Sequence, residues 1–469
     1  MFDSKNVCHK EIKIFLIVLL MFAAQLYATS FPTLSNKQGI ADRNNNILLE
    51  SRYKVFEDKL AIGIQKYNYY WKNCENTIAS SSQPNLQCPQ GSLLFPKSKK
   101  EKELLKIHNY HCYSNKFIKQ WTKRFQQNQK HHIQLAVVLW TSPKFYRDKG
   151  CEGFYFPLQK RHLMDGCYPT AEHYNDYEDW IRFTAFTFGK YIDHYIVWNE
   201  VDSTNWADSS TSKYPKKVML KDKEFHMKRS FDIYKALLTR TITSVQDLDN
   251  VCSNGSECQN LIYISLNRDW YGHKILVRQS KEGDIHILWR NMNLLDYLWK
   301  TVGLQYDWSI AIHPYGDVYN QYPNILTFST LKDLSSYQKI HINLNKKEAN
   351  KAWLDYAQSK LFASEQNAGD KLKADDWKRK AKFICQAYDI GLKMPELIAM
   401  THNHFQDNIQ AKNKVPTKYT MLPASVKANL SDADRYETFQ AYESTNPLVW
   451  GKTDTHFCCQ SYKLGCLKN

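Results

Sequence analysis

Short runs of β-branched and aromatic residues recur along this chain, separated by stretches whose apolar residues fall at helical spacing. "IQLAVVLW" (Ile133 to Trp140) reads as a buried strand, and so does "HYIVW", with Tyr195, Ile196, Val197 and Trp198 in sequence. Phe117, Ile118, Trp121 and Phe125 mark a helix over Phe117 to Gln129, and further helices are expected over Tyr177 to Ile192, Phe225 to Leu248, Ile287 to Gly303 and Asp375 to Lys393. Eight strands are expected, near Ile62, Leu105, Leu135, Val197, Ile264, Ala311, Phe362 and Ile398. Strands alternating with helices imply parallel pairing and crossovers, and eight such units in roughly 400 residues predict an α/β fold, a (β/α)8 TIM barrel with inserted loops. A doubly wound open sheet is the rival. No Gly-rich turn follows the first strand, which argues against a nucleotide site.

The ends of the chain read differently. Lys5, Lys10 and Lys13 precede the apolar run "IFLIVLLMFAAQLYA" (Ile14 to Ala28), the pattern of a secretory signal peptide over residues 1–29. Residues 30–58 are polar and Asn-rich and are expected to be an irregular lead-in, with the barrel over 59–445 and a Cys-rich tail over 446–469 packed on it. Twelve cysteines fit an oxidising compartment, so a secreted protein, extracellular or periplasmic, is expected. Disulfides are expected to close the loops Cys74–Cys88, Cys151–Cys167 and Cys252–Cys258, with Cys458, Cys459 and Cys466 crowded at the end and Cys385 as a candidate free thiol. The net charge of +16 favours polyanions, with anionic polysaccharide and nucleic acid as candidates and compositional bias as the plain alternative.

In a parallel barrel the chemistry sits where the strands end, at the C-terminal face. Those ends read "LWTSP" (Leu139 to Pro143), "WNE" (Trp198 to Glu200), "LNRDW" (Leu266 to Trp270), "HPYGD" (His313 to Asp317), "SEQN" (Ser364 to Asn367) and "THNHF" (Thr401 to Phe405). Glu200 and Glu365 end strands three apart in order, 165 positions apart in sequence, and so face each other across the barrel mouth. Glycoside hydrolysis needs two opposed carboxyls, one protonated and one ionised, with environments that push their pKa values apart.

"WNE" followed by "SEQ" resembles clan A of the glycoside hydrolases, the 4/7 superfamily of (β/α)8 enzymes. The resemblance implies that Glu200 is the acid/base, Glu365 the nucleophile, and that hydrolysis retains configuration. It implies that Asn199 bonds the sugar 2-hydroxyl and that Tyr315 is the strand-six aromatic near the nucleophile. "YISLNRDWYGH", "IHPYG" and "SEQN" together look like a bacterial barrel family labelled only as a domain of unknown function, over roughly Ile133 to Phe405. Three departures stand out. "WNEV" replaces the commoner "WNEP", the first strands lack the usual Arg, and His402 and His404 occupy the place where a Trp often floors the sugar subsite.

Other residues have two readings. His313 is either a core histidine or a contact to sugar or nucleophile. His402 and His404 share one strand face by alternation and read as substrate contacts; with no third ligand in view, no metal is expected. Trp140 and Trp270 are candidate sugar platforms and Trp198 reads as core. Asn267, Arg268 and Asp269 either read hydroxyls or form a loop salt bridge. The expectation is a poly- or oligosaccharide substrate, no cofactor, no nucleic acid, and no membrane association after signal cleavage. The alternative is a catalytically inactive carbohydrate-binding protein on the same barrel.

Overall fold

The computed structural model describes residues 38–41, 50–75, 80–147, 151, 154–156, 161–163, 166–201, 223–249, 260–269, 272–279, 285–316, 318, 326–346, 351–366, 376–403, 422, 425–427 and 429–467, all within the compact unit Ser35–Asn469. Eight strands close into a barrel in sequence order: β1 (Gln38–Ala41), β2 (Ile64–Tyr70), β3 (Gln134–Trp140), β4 (His194–Val197), β5 (Leu261–Leu266), β6 (Ser309–Ile312), β7 (Leu361–Gln366) and β8 (Leu397–Asn403). Every neighbouring pair is parallel. A helix follows each strand in turn: Glu50–Asp58, Asn115–Lys130, Tyr174–Phe188, Lys223–Asp249, Asn291–Thr301, Leu331–Asn345, Trp377–Leu392 and Glu437–Ser444. This is the (β/α)8 barrel that the alternation of patterns predicts.

Strand pleating sorts β2 into two faces. Tyr67 and Tyr69 point out, onto Trp121 at 5.6 and 5.1 Å, on the helix that follows. Tyr69 also stacks on Trp180 at 5.8 Å and is fully buried. Truncating an aromatic in such a place costs about 3–5 kcal/mol. Lys66, Asn68 and Tyr70 share the opposite, inward face and lie in register with Ala136, Val138 and Trp140 of β3. Deeper inside, Phe362 of β7 lies 5.9 Å from His194 of β4 and 5.7 Å from Tyr263 of β5, filling the barrel axis. Closure at β1 needs Gly39: a Cβ there would lie 2.2 Å from Ile64 Cγ2 and 2.5 Å from the Ile64 carbonyl oxygen.

Two strand expectations are corrected. The first barrel strand is Gln38–Ala41, inside the segment expected to be an irregular lead-in, and Glu50–Asp58 of the same segment is a helix. A four-residue strand centred on a glycine carries too few apolar positions to show a period. The apolar run near Leu105 is not in the barrel. A helix ends at Leu104, and His111–Ser114 pairs antiparallel with Ser92–Phe95. That hairpin buries Tyr113 and Phe95 on Phe183, at 4.0 and 5.0 Å, so its apolar residues serve a helix-facing layer. Likewise Ile287 to Trp289, expected to open the helix over Ile287 to Gly303, belong to a strand, Ile285–Trp289, that pairs antiparallel with Ile275–Gln279, and the helix begins at Asn291.

Cys151 pairs with Cys167 as expected. Cys74 does not pair with Cys88: Cys88 bonds Cys112 in the hairpin, and Cys74 is a buried free thiol. Cys385 is not free but bonds Cys458, tying the Trp377–Leu392 helix to the tail, where Cys459 bonds Cys466. Cys385 and Cys458 lie far apart in sequence, so loop-length reasoning could not find them. Cys252, Cys258 and the expected signal segment lie outside the described residues. Among the described residues no helix is long and apolar enough to cross a membrane.

Candidate active site

The two candidate carboxyls reach the mouth by local departures from regular strand geometry. At the end of β4, Trp198 and Glu200 adopt left-handed backbone with φ of 63° and 44°. Such conformations cost non-glycine residues about 1–3 kcal/mol each and persist where the surroundings enforce them. Here Trp198 N donates to Leu139 O at 2.9 Å, Glu200 N to Ser265 Oγ at 3.1 Å, and Val201 N to Ser265 O at 3.2 Å. These bonds hold β4's end between β3 and β5. Trp198 is fully buried against Tyr168, at 4.8 Å, and Glu200 is turned toward the barrel axis.

β7 uses an extra residue. Ala363 pairs with Met400 but Gln366 pairs with His402, so Ser364 and Glu365 together face Thr401. Regular alternation from the inward Phe362 would send Glu365 outward. The bulge turns it in. Its carboxylate then meets two donors. Lys66 Nζ lies 2.6 Å from Oε1, with the two side chains only 2% and 9% exposed. The Tyr315 hydroxyl donates to Oε2. Asn403 Nδ2, from the end of β8, donates to the same hydroxyl at 2.7 Å.

His313 stands between the two acids. Its Nδ1 lies 2.8 Å from Glu200 Oε1 and 3.9 Å from Glu365 Oε2. The sum of those two legs, 6.7 Å, is the most that can separate these carboxylate oxygens. The His313 ring is fully buried, with its Nδ1 turned to the two carboxyls. Asn199 is 7% exposed beside Glu200. Trp140 closes β3 at the mouth, 5.7 Å from the ring of Tyr70, in a wall that also includes Lys72 Nζ, 5.5 Å over Tyr70.

Two expected contacts are engaged elsewhere. His402 faces away from the barrel axis. Its Nε2 lies 3.2 Å from Gln38 Oε1 and 3.1 Å from Gln366 Nε2, and its ring packs on Tyr442 at 4.7 Å. Burial pushes the imidazole down to about 3, so it is neutral. It is a core histidine between sheet and helices, and the β8 residue that points inward is its neighbour Asn403. Asn267 Oδ1 is committed to the backbone N–H of Asp269 at 2.6 Å, and Asp269 pairs with Arg290 at 2.7 Å, a loop salt bridge. Trp270 and His404 lie outside the described residues.

Sequence reasoning missed Lys66 and Asn403. Lys66 left a signal: a lysine in the centre of "IQKYNYY", a strand otherwise fit for burial, needs a charge partner inside. Asn403 was hidden by parity, since the two flanking histidines drew attention to the opposite face.

Away from the mouth, His111, Asp176 and Asp179 come within metal-ligand range of one another. His111 Nδ1 and Nε2 bond Glu75 at 2.8 Å and Asp179 at 3.0 Å. Burial pulls this imidazole down, but the two carboxylates outweigh it and push it up to about 10. The carboxylates around it also accept from His108, Asn109, His173, Tyr146 and Trp71. The cluster reads as a satisfied ionic core joining the hairpin to the Tyr174–Phe188 helix.

No protein-family model matches this chain, and no curated protein does. Solved structures do. A family 39 glycoside hydrolase from the gut symbiont Bacteroides cellulosilyticus WH2 aligns with a TM-score of 0.50 at 11% identity, over 88% of this chain and 63% of that one. The chain thus spans less than two thirds of that enzyme's length. A hyperthermophilic beta-glucosidase from Pyrococcus furiosus aligns at 0.47 and 10% identity, over 89% and 96% of the two chains. A family 1 beta-glucosidase from Thermotoga maritima aligns at 0.45 and 8% identity, over 88% and 97%. At these identities the likeness is one of architecture, the closed parallel (β/α)8 barrel.

Proposed function

We propose that the protein is a secreted, retaining glycoside hydrolase acting on a poly- or oligosaccharide, with Glu365 as nucleophile and Glu200 as acid/base. The observation that carries this reading is the unequal treatment of two nearby carboxyls. Among the described residues, Glu365 meets a buried ammonium and a phenol hydrogen, and the Glu200 carboxyl meets the His313 ring. The carboxyl with the ammonium and phenol donors is the one set up to carry the negative charge of a nucleophile, and the one beside His313 is left for proton transfer.

The steps follow from that asymmetry. Glu365 attacks the anomeric carbon as the glycosidic bond breaks, and Glu200 gives its proton to the leaving oxygen. Ester formation removes the charge on Glu365. Glu200, now anionic, takes a proton from water, and the resulting attack on the anomeric carbon releases the sugar and restores both carboxyls. Retaining enzymes hold their carboxyls about 5–5.5 Å apart and inverting ones about 6.5–9.5 Å apart; the 6.7 Å bound on this oxygen pair admits the retaining spacing and leaves out most of the inverting range. Asn199 is placed to bond a sugar hydroxyl beside Glu200, and Trp140 to offer a face for stacking. The motifs "YISLNRDWYGH", "IHPYG" and "SEQN" favour kinship with the bacterial barrel family of unknown function.

One observation favours a second reading. β8 ends on Asn403 rather than on an indole floor, as would suit a binding protein that has lost catalysis. Screening hydrolysis of neutral and anionic polysaccharides, with Glu200→Gln and Glu365→Gln as controls, separates the two. Turnover that both substitutions abolish supports the enzyme. Sugar binding with no turnover on any substrate would leave the binding protein.

A further inference from the structure

We infer that Asn403 is a positioning residue that aims the hydroxyl hydrogen of Tyr315 at Glu365. The inference rests on the reading of Glu365 as the ionised carboxyl of the site. Among the described residues, the groups that face this carboxylate come from four strands. They are Lys66 on β2, Glu200 after β4, His313 and Tyr315 after β6, and, one bond removed, Asn403 on β8.

A phenol has one hydrogen and can send it only one way. An anionic carboxylate is a stronger acceptor than an amide oxygen, so that hydrogen belongs to Glu365. The amide of Asn403, 2.7 Å from the phenol oxygen, must then present its NH2 side. Donation into the phenol oxygen has two effects. It removes the alternative in which Tyr315 turns toward β8, and it polarises the O–H so that the bond to Glu365 strengthens, as hydrogen bonds in a chain do. Asn403 is only 6% exposed, which keeps water from substituting for it.

A residue that merely filled space would be replaced best by its closest isostere. The relay predicts the reverse, because the carboxylate introduced by Asn403→Asp would accept the phenol hydrogen and take it from Glu365. The test is a titration of Glu365 by carboxyl-13C glutamate NMR of the whole protein, with the Glu365→Gln spectrum identifying the signal. Run beside it, the pH profile of kcat/KM reads the same group wherever a substrate is turned over.

Asn403→Ala should raise the Glu365 midpoint by about half to one pH unit, as loss of a hydrogen bond to the charged form does. Asn403→Asp should raise it further, and Asn403→Gln, which keeps an NH2 donor, should restore part of the shift. Tyr315→Phe should raise it at least as far as Asn403→Ala, and adding Asn403→Ala to Tyr315→Phe should change nothing more. A midpoint unmoved in both Asn403→Ala and Asn403→Asp would overturn the inference. So would full additivity in the double variant, because Asn403 would then act without Tyr315. The titration needs no substrate. A protein that shows these shifts but hydrolyses no glycoside would sink the proposed function and leave the relay standing, and an active enzyme without the shifts would do the opposite.

Discussion

Lys66 on β2 and Glu365 on β7 form a 2.6 Å ion pair across the inside of the barrel, between strands that share no backbone hydrogen bond. The pair joins one residue the sequence reading passed over to one it singled out. It gives an inward carboxylate a buried cation of opposite charge inside the barrel.

This pair can be tested by stability alone. Removing one partner of a buried ion pair leaves the other charge unmatched, at a cost of about 3–5 kcal/mol. Lys66→Met and Glu365→Gln should each lower the urea-unfolding free energy by about that much. The double variant should recover most of it, since no uncompensated charge remains. Two single effects that simply add in the double variant would mean that the two groups do not hold each other.

His402 gives a pH prediction of definite sign. Its native form resists protonation down to about 3, and the unfolded form takes a proton near 6.5. Stability from this group is therefore complete above about 6.5 and falls as pH drops toward 3, by about 1.4 kcal/mol per unit. His194, likewise pushed down to about 3 by burial, adds a parallel loss over the same window. His402→Gln keeps a polar group between Gln38 and Gln366 without a titrating ring. Its unfolding free energy should fall less steeply than that of the wild type between pH 6.5 and about 4.5. Equal slopes would show that His402 titrates normally and lies outside the core.

The Cys385–Cys458 bond closes a long loop, 73 positions, between a barrel helix and the tail. Chain-entropy reasoning gives such a bond about 4 kcal/mol. Cys385→Ala with Cys458→Ala should lower stability by that order under non-reducing conditions. An unchanged urea midpoint would show the tail to be held by packing alone.

Much of this molecule was legible in its sequence, for physical reasons. Parallel strands buried on both faces read as apolar runs, so Ile133 to Trp140 and Tyr195 to Trp198 stood out, and the barrel followed from their alternation with helices. Glu200 and Glu365 were legible because strand ends at one barrel face converge. β1 was not, because Gly39 serves a close approach to Ile64 rather than an apolar face. The inward turn of Glu365 was not either: Phe362 and Glu365 both face inside although three positions separate them, which a period of two forbids and a bulge permits. The same parity problem placed His402 in the site and left out Asn403. Pairings set by tertiary approach, such as Cys385 with Cys458 and Lys66 with Glu365, carry no local sequence signature.

The central claim is that Glu365 forms a covalent bond to sugar while Glu200 handles protons. A panel of mechanism-based 2-deoxy-2-fluoroglycosides, followed by mass spectrometry of the intact protein and of its peptides, tests it most directly. The expected result is a single glycosyl adduct on the peptide carrying Glu365, absent in Glu365→Gln, and formed in Glu200→Gln when the leaving group needs no proton. Turnover of a glycoside with no adduct, or an adduct carried by Glu200, would contradict it.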